Sequence, residues 1–122
     1  MLYKGESGEI ELENAKPWSV DNPYLYKCVV RTDKDCEEVK FGIRKVEIIP
    51  EQGLFVNDEK TLLRGGCIHS DNGILGACSF KEAEYRKVKI LKEAGYNAIR
   101  CAHNPCSRYF LQACDDLGMF VF

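Results

Sequence analysis

The sequence has no apolar run near the roughly 20 residues that a membrane-spanning helix needs, and nothing near its start resembles a signal peptide. It also has no long run of one charge. Seventeen basic residues stand against 19 acidic ones, a net charge of -2. That balance argues against nucleic acid or a membrane surface as a partner. The seven cysteines are an odd number, and no Cys-x-x-Cys pair occurs among them. Such spacing does not build a disulfide scaffold, so reduced thiols and a cytoplasmic location are the expectation. Helix-period segments are missing from the first 50 residues.

What is present is a globular composition. With 45% hydrophobic and 11% aromatic residues, 122 positions can bury one modest core or parts of two. Ile10 and Leu12 alternate with Glu9, Glu11 and Glu13, the pattern of a half-buried strand. After Pro17 and Pro23, residues 24–31 place Tyr24, Tyr26, Cys28 and Val30 on one face. Further strands are expected over 39–44 and 45–49, closed by Pro50. This is sandwich-like patterning. Leu54-Phe55-Val56 and Thr61-Leu62-Leu63 then flank Asn57-Asp58-Glu59-Lys60, a hairpin whose Asn-Asp pair tolerates left-handed backbone.

From residue 64 the pattern changes to alternating strands and helices. Arg64-Gly65-Gly66-Cys67-Ile68-His69 reads as a strand ending in a polar residue. Ser79-Phe80-Lys81-Glu82 has the form of a capping box. The helix it opens carries Phe80, Ala83, Val88, Leu91 and Ala94 on one face, with Lys81, Glu84, Lys87 and Lys89 expected on a solvated one. Gly95 is its natural stop. A strand is expected over 97–102, then a helix from about Ser107 with Phe110, Cys114 and Leu117 as its stripe and Gly118 at its end. Residues 119–122 are apolar throughout, as in a parallel strand buried on both faces. Strand, helix, strand, helix, strand implies βαβ units.

The strand over 97–102 runs into Arg100, His103 and Asn104, and α/β folds build their sites at such carboxyl ends. Arg100 and His103 are three apart, so a straight strand would point them to opposite faces. Both can serve one pocket only if the backbone turns or bulges after Arg100, which Pro105 favours.

The spacing Asn97-x-x-Arg100-x-x-His103-x-Pro105, followed by Phe110-Leu111, Asp115-x-x-Gly118 and four apolar residues, resembles a signature of glycoside hydrolase family two. Gly65-x-x-x-His69 is similar to the end of that family's first barrel strand, and Trp18, Pro23, Leu25, Tyr26 and Phe41-Gly42-Ile43-Arg44 look like landmarks of its immunoglobulin-like domain. Asn104 and Asp58 depart from the commonest pattern, which has Tyr and Gly there. Cys67 and Ser70 depart too, standing where Asn and an acidic residue are usual.

The resemblance implies a mixed fold: residues 1–50 as the end of an immunoglobulin-like β-sandwich, and 51–122 as the first three strands and two helices of a (β/α)8 TIM barrel. It implies a β-galactosidase-like retaining glycosidase acting on a carbohydrate substrate, a β-galactoside or similar. His69, His103, Asn104 and Asp71 would contact the sugar, and Arg100 would support the nucleophilic carboxylate. Both catalytic glutamates are expected beyond Phe122, so the 122 residues alone are expected to be inactive. The full enzyme is expected to be a homo-oligomer. No metal ligand or cofactor is assigned here, although the family often uses a divalent or monovalent cation near its site. Trp18 and Tyr26 are expected in packing roles, and Arg44 as a tie between the two domains. The alternatives are a β-glucuronidase of the same family, a non-catalytic carbohydrate-binding piece, and a metal-binding module built on Cys67-x-His69 and Cys101-x-His103-x-x-Cys106.

Overall fold

The structure, a computed structural model, describes residues 10–122. Strands β1 (Tyr26–Arg31) and β2 (Cys36–Phe41) form an antiparallel pair. Strands β3 (Val46–Ile49), β4 (Gly53–Val56) and β5 (Glu59–Lys60) form a second antiparallel sheet in that order. The third sheet is parallel: β6 (Gly65–Ile68), β7 (Ala98–Cys101) and β8 (Phe120–Val121), with helix α1 (Lys81–Glu93) in the first crossover and α2 (Arg108–Leu117) in the second. It is an open sheet and not a closed barrel. Among the described residues no helix is long and apolar enough to cross a membrane.

The expected strand around Ile10 and Leu12 is absent. Both side chains are exposed, 51% and 37%, and among the described residues no strand pairs with them; Glu9 lies outside the described residues. Alternation supplies an apolar face, but a strand also needs a hydrogen-bonding neighbour. β2 ends earlier than the expected 39–44 because Gly42 and Ile43 turn to meet Trp18. A Cβ at Gly42 would lie 2.8 Å from the Trp18 Cβ, and the Ile43 carbonyl accepts the Trp18 N–H at 2.7 Å. On β1 and β2, Tyr26 stacks on its cross-strand partner Phe41 at 5.9 Å. Val30, Val39 and Phe41 stay exposed, so among the described residues no second sheet packs over this pair as a sandwich would.

β3 and β4 lie side by side across the turn at Pro50. Asn57 and Asp58 both adopt positive φ, 53° and 67°, and close a tight hairpin. Its second arm is Glu59–Lys60, so 61–63 continue past the sheet.

The parallel sheet has a distinct layer on each face, because successive side chains of a strand alternate. Ile99 packs into a cluster with Val88, Phe110, Ala113, Cys114 and Met119, and Cys101 lies against it. Ala98 faces the other way, into a cluster with Trp18, Val56 and Phe120. Trp18 is the staple of that second layer. Its indole N–H donates to the Asp115 carbonyl at 2.9 Å, its ring meets Phe120 edge-on at 5.6 Å, and the Arg44 guanidinium sits 5.1 Å over it. Arg44 also lies 5.9 Å over the Phe120 ring, which joins the segment after β2 to the parallel sheet.

Two expectations for α1 need correction. The capping box does not form: the helix starts at Lys81 with Phe80 at the cap and no side-chain cap bond. That start moves Glu82 from the third helical position to the second, out of reach of a reciprocal bond. The charged face is also wrong at Glu84, which is 4% exposed, whereas Phe80 is 56% exposed. The inward stripe is Glu84, Val88 and Leu91, spaced i, i+4, i+7. At α2 the signals hold. Ser107 caps the Phe110 N–H at 3.1 Å, and Gly118 stops the helix at φ 77°.

Candidate functional site

Asn97, the first residue of the signature, is structural. Its side chain is buried, accepts the Arg64 N–H at 2.7 Å and donates to the Leu62 carbonyl at 2.8 Å. It thereby fastens the start of β7 to the start of β6. With that register set, Cys67 pairs with Arg100 and Ile68 with Cys101. The Arg100 guanidinium donates to the Cys67 sulfur at 3.6 Å, on the sheet face opposite Ile99 and Cys101.

Beyond these pairs both strands run out together, the Ala102 N–H still donating to the Ile68 carbonyl at 2.8 Å. His103 then takes a left-handed conformation, φ 71°. A non-glycine residue rarely sits there, and here it supplies the change of direction that a straight strand lacks. As a result the rings of His69 and His103 lie 5.3 Å apart, centroid to centroid, tilted by 46°. The two histidines, 34 positions apart in sequence, meet at the carboxyl end of the parallel sheet.

Of the other expected residues, Asn104 shares a cavity of about 190 Å³ with His69, beneath the strand ends and on the helix side. Asp71 does not join them. Its carboxylate accepts the Gly73 N–H at 2.8 Å, closing a local turn, and the residue lies along a separate groove with Ile74 and Leu75. The structure thus brings together His69 with His103 and His69 with Asn104, holds Arg100 beside Cys67, and leaves Asp71 aside.

The sequence reading missed Glu84. Among the described residues it is the one carboxylate lining that cavity, and it is already engaged. Its two oxygens accept from Lys87 at 3.0 Å and from the Asn72 amide at 3.2 Å. Burial pushes its pKa up, but the hydrogen bonds from Lys87 and Asn72 outweigh burial and hold it below the ordinary range. The signal was its spacing with Val88 and Leu91, which puts it on the inward stripe.

Among the described residues no three His, Cys, Asp or Glu side chains gather as a metal site. The Cys-His pattern is divided by strand alternation, with Cys67 on the Arg100 side and Cys101 turned to the helices. Burial and the neighbouring Cys106 push the Cys101 thiol up to about 12, and burial raises Cys114 as well. Chemically, the arrangement offers imidazole, amide and guanidinium groups as hydrogen-bond partners for hydroxyls or a carboxylate.

The family model described as "Glycosyl hydrolases family 2, TIM barrel domain" matches residues 46–122, and the one described as "Glycosyl hydrolases family 2" matches residues 2–44. A β-galactosidase of Bacteroides ovatus is 35% identical over 118 residues, 93% of this chain and 14% of that protein. Among solved structures, a glycosyl hydrolase family 2 member from Bacteroides cellulosilyticus has TM-score 0.81 and 48% identity, covering 87% of this chain and 14% of the other. A β-glucuronidase from Parabacteroides merdae has TM-score 0.82 and 32% identity, covering 90% and 14%. The chain therefore spans a small part of the relatives it matches.

Proposed function

The chain belongs to glycosyl hydrolase family 2, and on that premise we propose that it is part of a retaining β-glycosidase, β-galactosidase-like, of which it forms the sugar-binding rim. Residues 1–50 would be the end of the sandwich domain and 51–122 the start of the TIM barrel. The observation that carries the reading is the meeting of His69 and His103 at the carboxyl ends of parallel strands, 5.3 Å apart. In this reading both imidazoles donate hydrogen bonds to hydroxyls of the bound sugar. Those contacts strengthen as an oxocarbenium-like transition state forms, and so contribute to rate as well as binding. Asn104, on the same cavity as His69, is a further hydroxyl partner. Arg100 lies beside the nucleophilic carboxylate, orients it and keeps it ionised through its opposite charge.

A retaining glycosidase needs two carboxyl groups about 5 to 5.5 Å apart. Glu84 is bound to Lys87 and Asn72, and Asp115 and Asp116 lie on or beside the helix layer, so none is assigned to either role. Both would come from the rest of a longer protein, and the 122 residues alone would bind without cleaving. Similarity to the Parabacteroides merdae β-glucuronidase favours a second reading, the same reaction on a glucuronide.

The test is turnover of nitrophenyl β-galactoside, β-glucuronide and β-mannoside by a longer protein that carries these residues, beside its His103→Ala variant. Turnover of the galactoside, with a loss on the order of 10² to 10³ in rate in the variant, supports the reading. A silent His103→Ala, or a parent inactive on all three, overturns it.

A further inference from the structure

A carboxylate in a helix-packing stripe is an expensive choice, because an apolar residue of similar volume there is often neutral or stabilising by comparison. Glu84 occupies such a position, one helical turn before Val88. What the charge provides is an acceptor aimed at the loop between β6 and α1. The Asn72 amide Nδ2 lies 3.2 Å from a Glu84 oxygen and 2.9 Å from the Cys78 carbonyl. The Asn72 N–H donates to the Gly76 carbonyl at 2.8 Å, so this one residue closes the loop on itself and ties it to the helix. Upstream, the Asp71 N–H donates to the His69 carbonyl at 2.8 Å, and the Asp71 carboxylate accepts the Gly73 N–H. With the Gly76 N–H donating to the Gly73 carbonyl at 2.9 Å, these bonds link Glu84 through Asn72, Gly76, Gly73 and Asp71 to the His69 backbone carbonyl. Lys87, 3.0 Å from the other Glu84 oxygen and 5.9 Å over the Phe110 ring, holds the carboxylate from behind.

We propose that Glu84 is a positioning residue, which through Asn72 fixes the loop over 69–78 and with it the orientation of His69. The consequence for catalysis rests on reading His69 as a sugar contact; the consequence for the loop does not.

The experiment compares the parent chain with Glu84→Leu, which keeps the stripe apolar, and Glu84→Gln, which keeps an acceptor for Asn72. Amide hydrogen exchange is read at Asn72, Gly76 and Cys78 against the α1 amides, with the melting temperature alongside. Glu84→Leu is expected to speed loop exchange by about tenfold or more while the melting temperature and the α1 amides hold, and Glu84→Gln to stay near the parent. Loop exchange unchanged in Glu84→Leu would overturn the proposal. Should Glu84→Leu not fold, Glu84→Ala removes the same acceptor while leaving the Asn72 bond to the Cys78 carbonyl in place, and is read in the same way. In a longer protein active on a glycoside, Glu84→Leu is expected to lower kcat/KM by about tenfold to about 10²-fold, with Glu84→Gln keeping most of the activity. An inactive parent counts against the glycosidase reading, and the exchange result still decides the role of Glu84.

Discussion

Gly118 passes so close to Val20 that a Cβ on Gly118 would lie 2.2 Å from the Val20 carbonyl oxygen. The same residue sits at φ 77° to stop α2, and the Lys92 ammonium bridges the Val20 and Gly118 carbonyls. Gly118→Ala therefore meets both a backbone penalty and a clash. A destabilisation on the order of 2 to 4 kcal/mol is expected, measured as a lower urea midpoint with unchanged slope.

Trp18 separates packing from hydrogen bonding. Trp18→Ala removes a buried ring that touches Phe120 and carries Arg44 on its face, and is expected to cost about 3 to 5 kcal/mol. Trp18→Phe keeps most of the ring but leaves the Asp115 carbonyl without its indole donor, at about 1 kcal/mol. Thermal denaturation of the two variants should rank them in that order. Equal losses would mean that the hydrogen bond, rather than the ring, holds this layer.

Asn97→Ala should be severe for its size. It leaves the Arg64 N–H and the Leu62 carbonyl without their buried partner, at about 2 to 4 kcal/mol for the pair. Because the bonds set the junction between β6 and β7, the variant should also lose protection in hydrogen exchange at the Ala98 and Ala102 amides, which donate to the Arg64 and Ile68 carbonyls.

The pH dependence of stability follows from the direction of the shifts. Glu84 has a folded pKa below its ordinary value of 4.5, so it contributes stability above that pH, and the contribution is lost as pH falls through the folded pKa. Asp115 is shifted upward by burial against the pull of Arg44, so it partly offsets this acid limb. At the other end Cys101 and Tyr85 are both raised to about 12. Their contributions are complete below the ordinary values of 9.0 and 10.0 and fall away as pH climbs toward 12. Urea midpoints from pH 3.5 to 7 should fall less steeply in Glu84→Gln than in the parent; identical acid limbs would show that Glu84 is not the group responsible.

The stretch from β7 through α2 was largely legible in the sequence, because each signal there is local: Ser107 caps and Gly118 stops; of the apolar run at 119–122, expected to be buried on both faces, only Phe120–Val121 forms a strand, and Phe122 is 61% exposed at its end. The meeting of His69 and His103 was legible through the motif, together with the turn it required. Glu84 was not, since its loop partner Asn72 comes within reach only once the loop folds back on α1. The local role of Asp71 was also out of sight: a short carboxylate two residues before a glycine accepts the nearest N–H, that of Gly73. At Ile10 and Leu12 the alternation is real, but among the described residues no strand lies beside it.

The alternation along β7 has an evolutionary side. Ile99 and Cys101 belong to the helix layer, while Arg100 between them belongs to the other face. Replacements at Arg100 or its partner Cys67 therefore leave the side chains around Ile99, among them Val88 and Phe110, in place. A lineage can change the Arg100 face one residue at a time on an unaltered scaffold. Cys67, one of the departures from the common pattern, stands on that face.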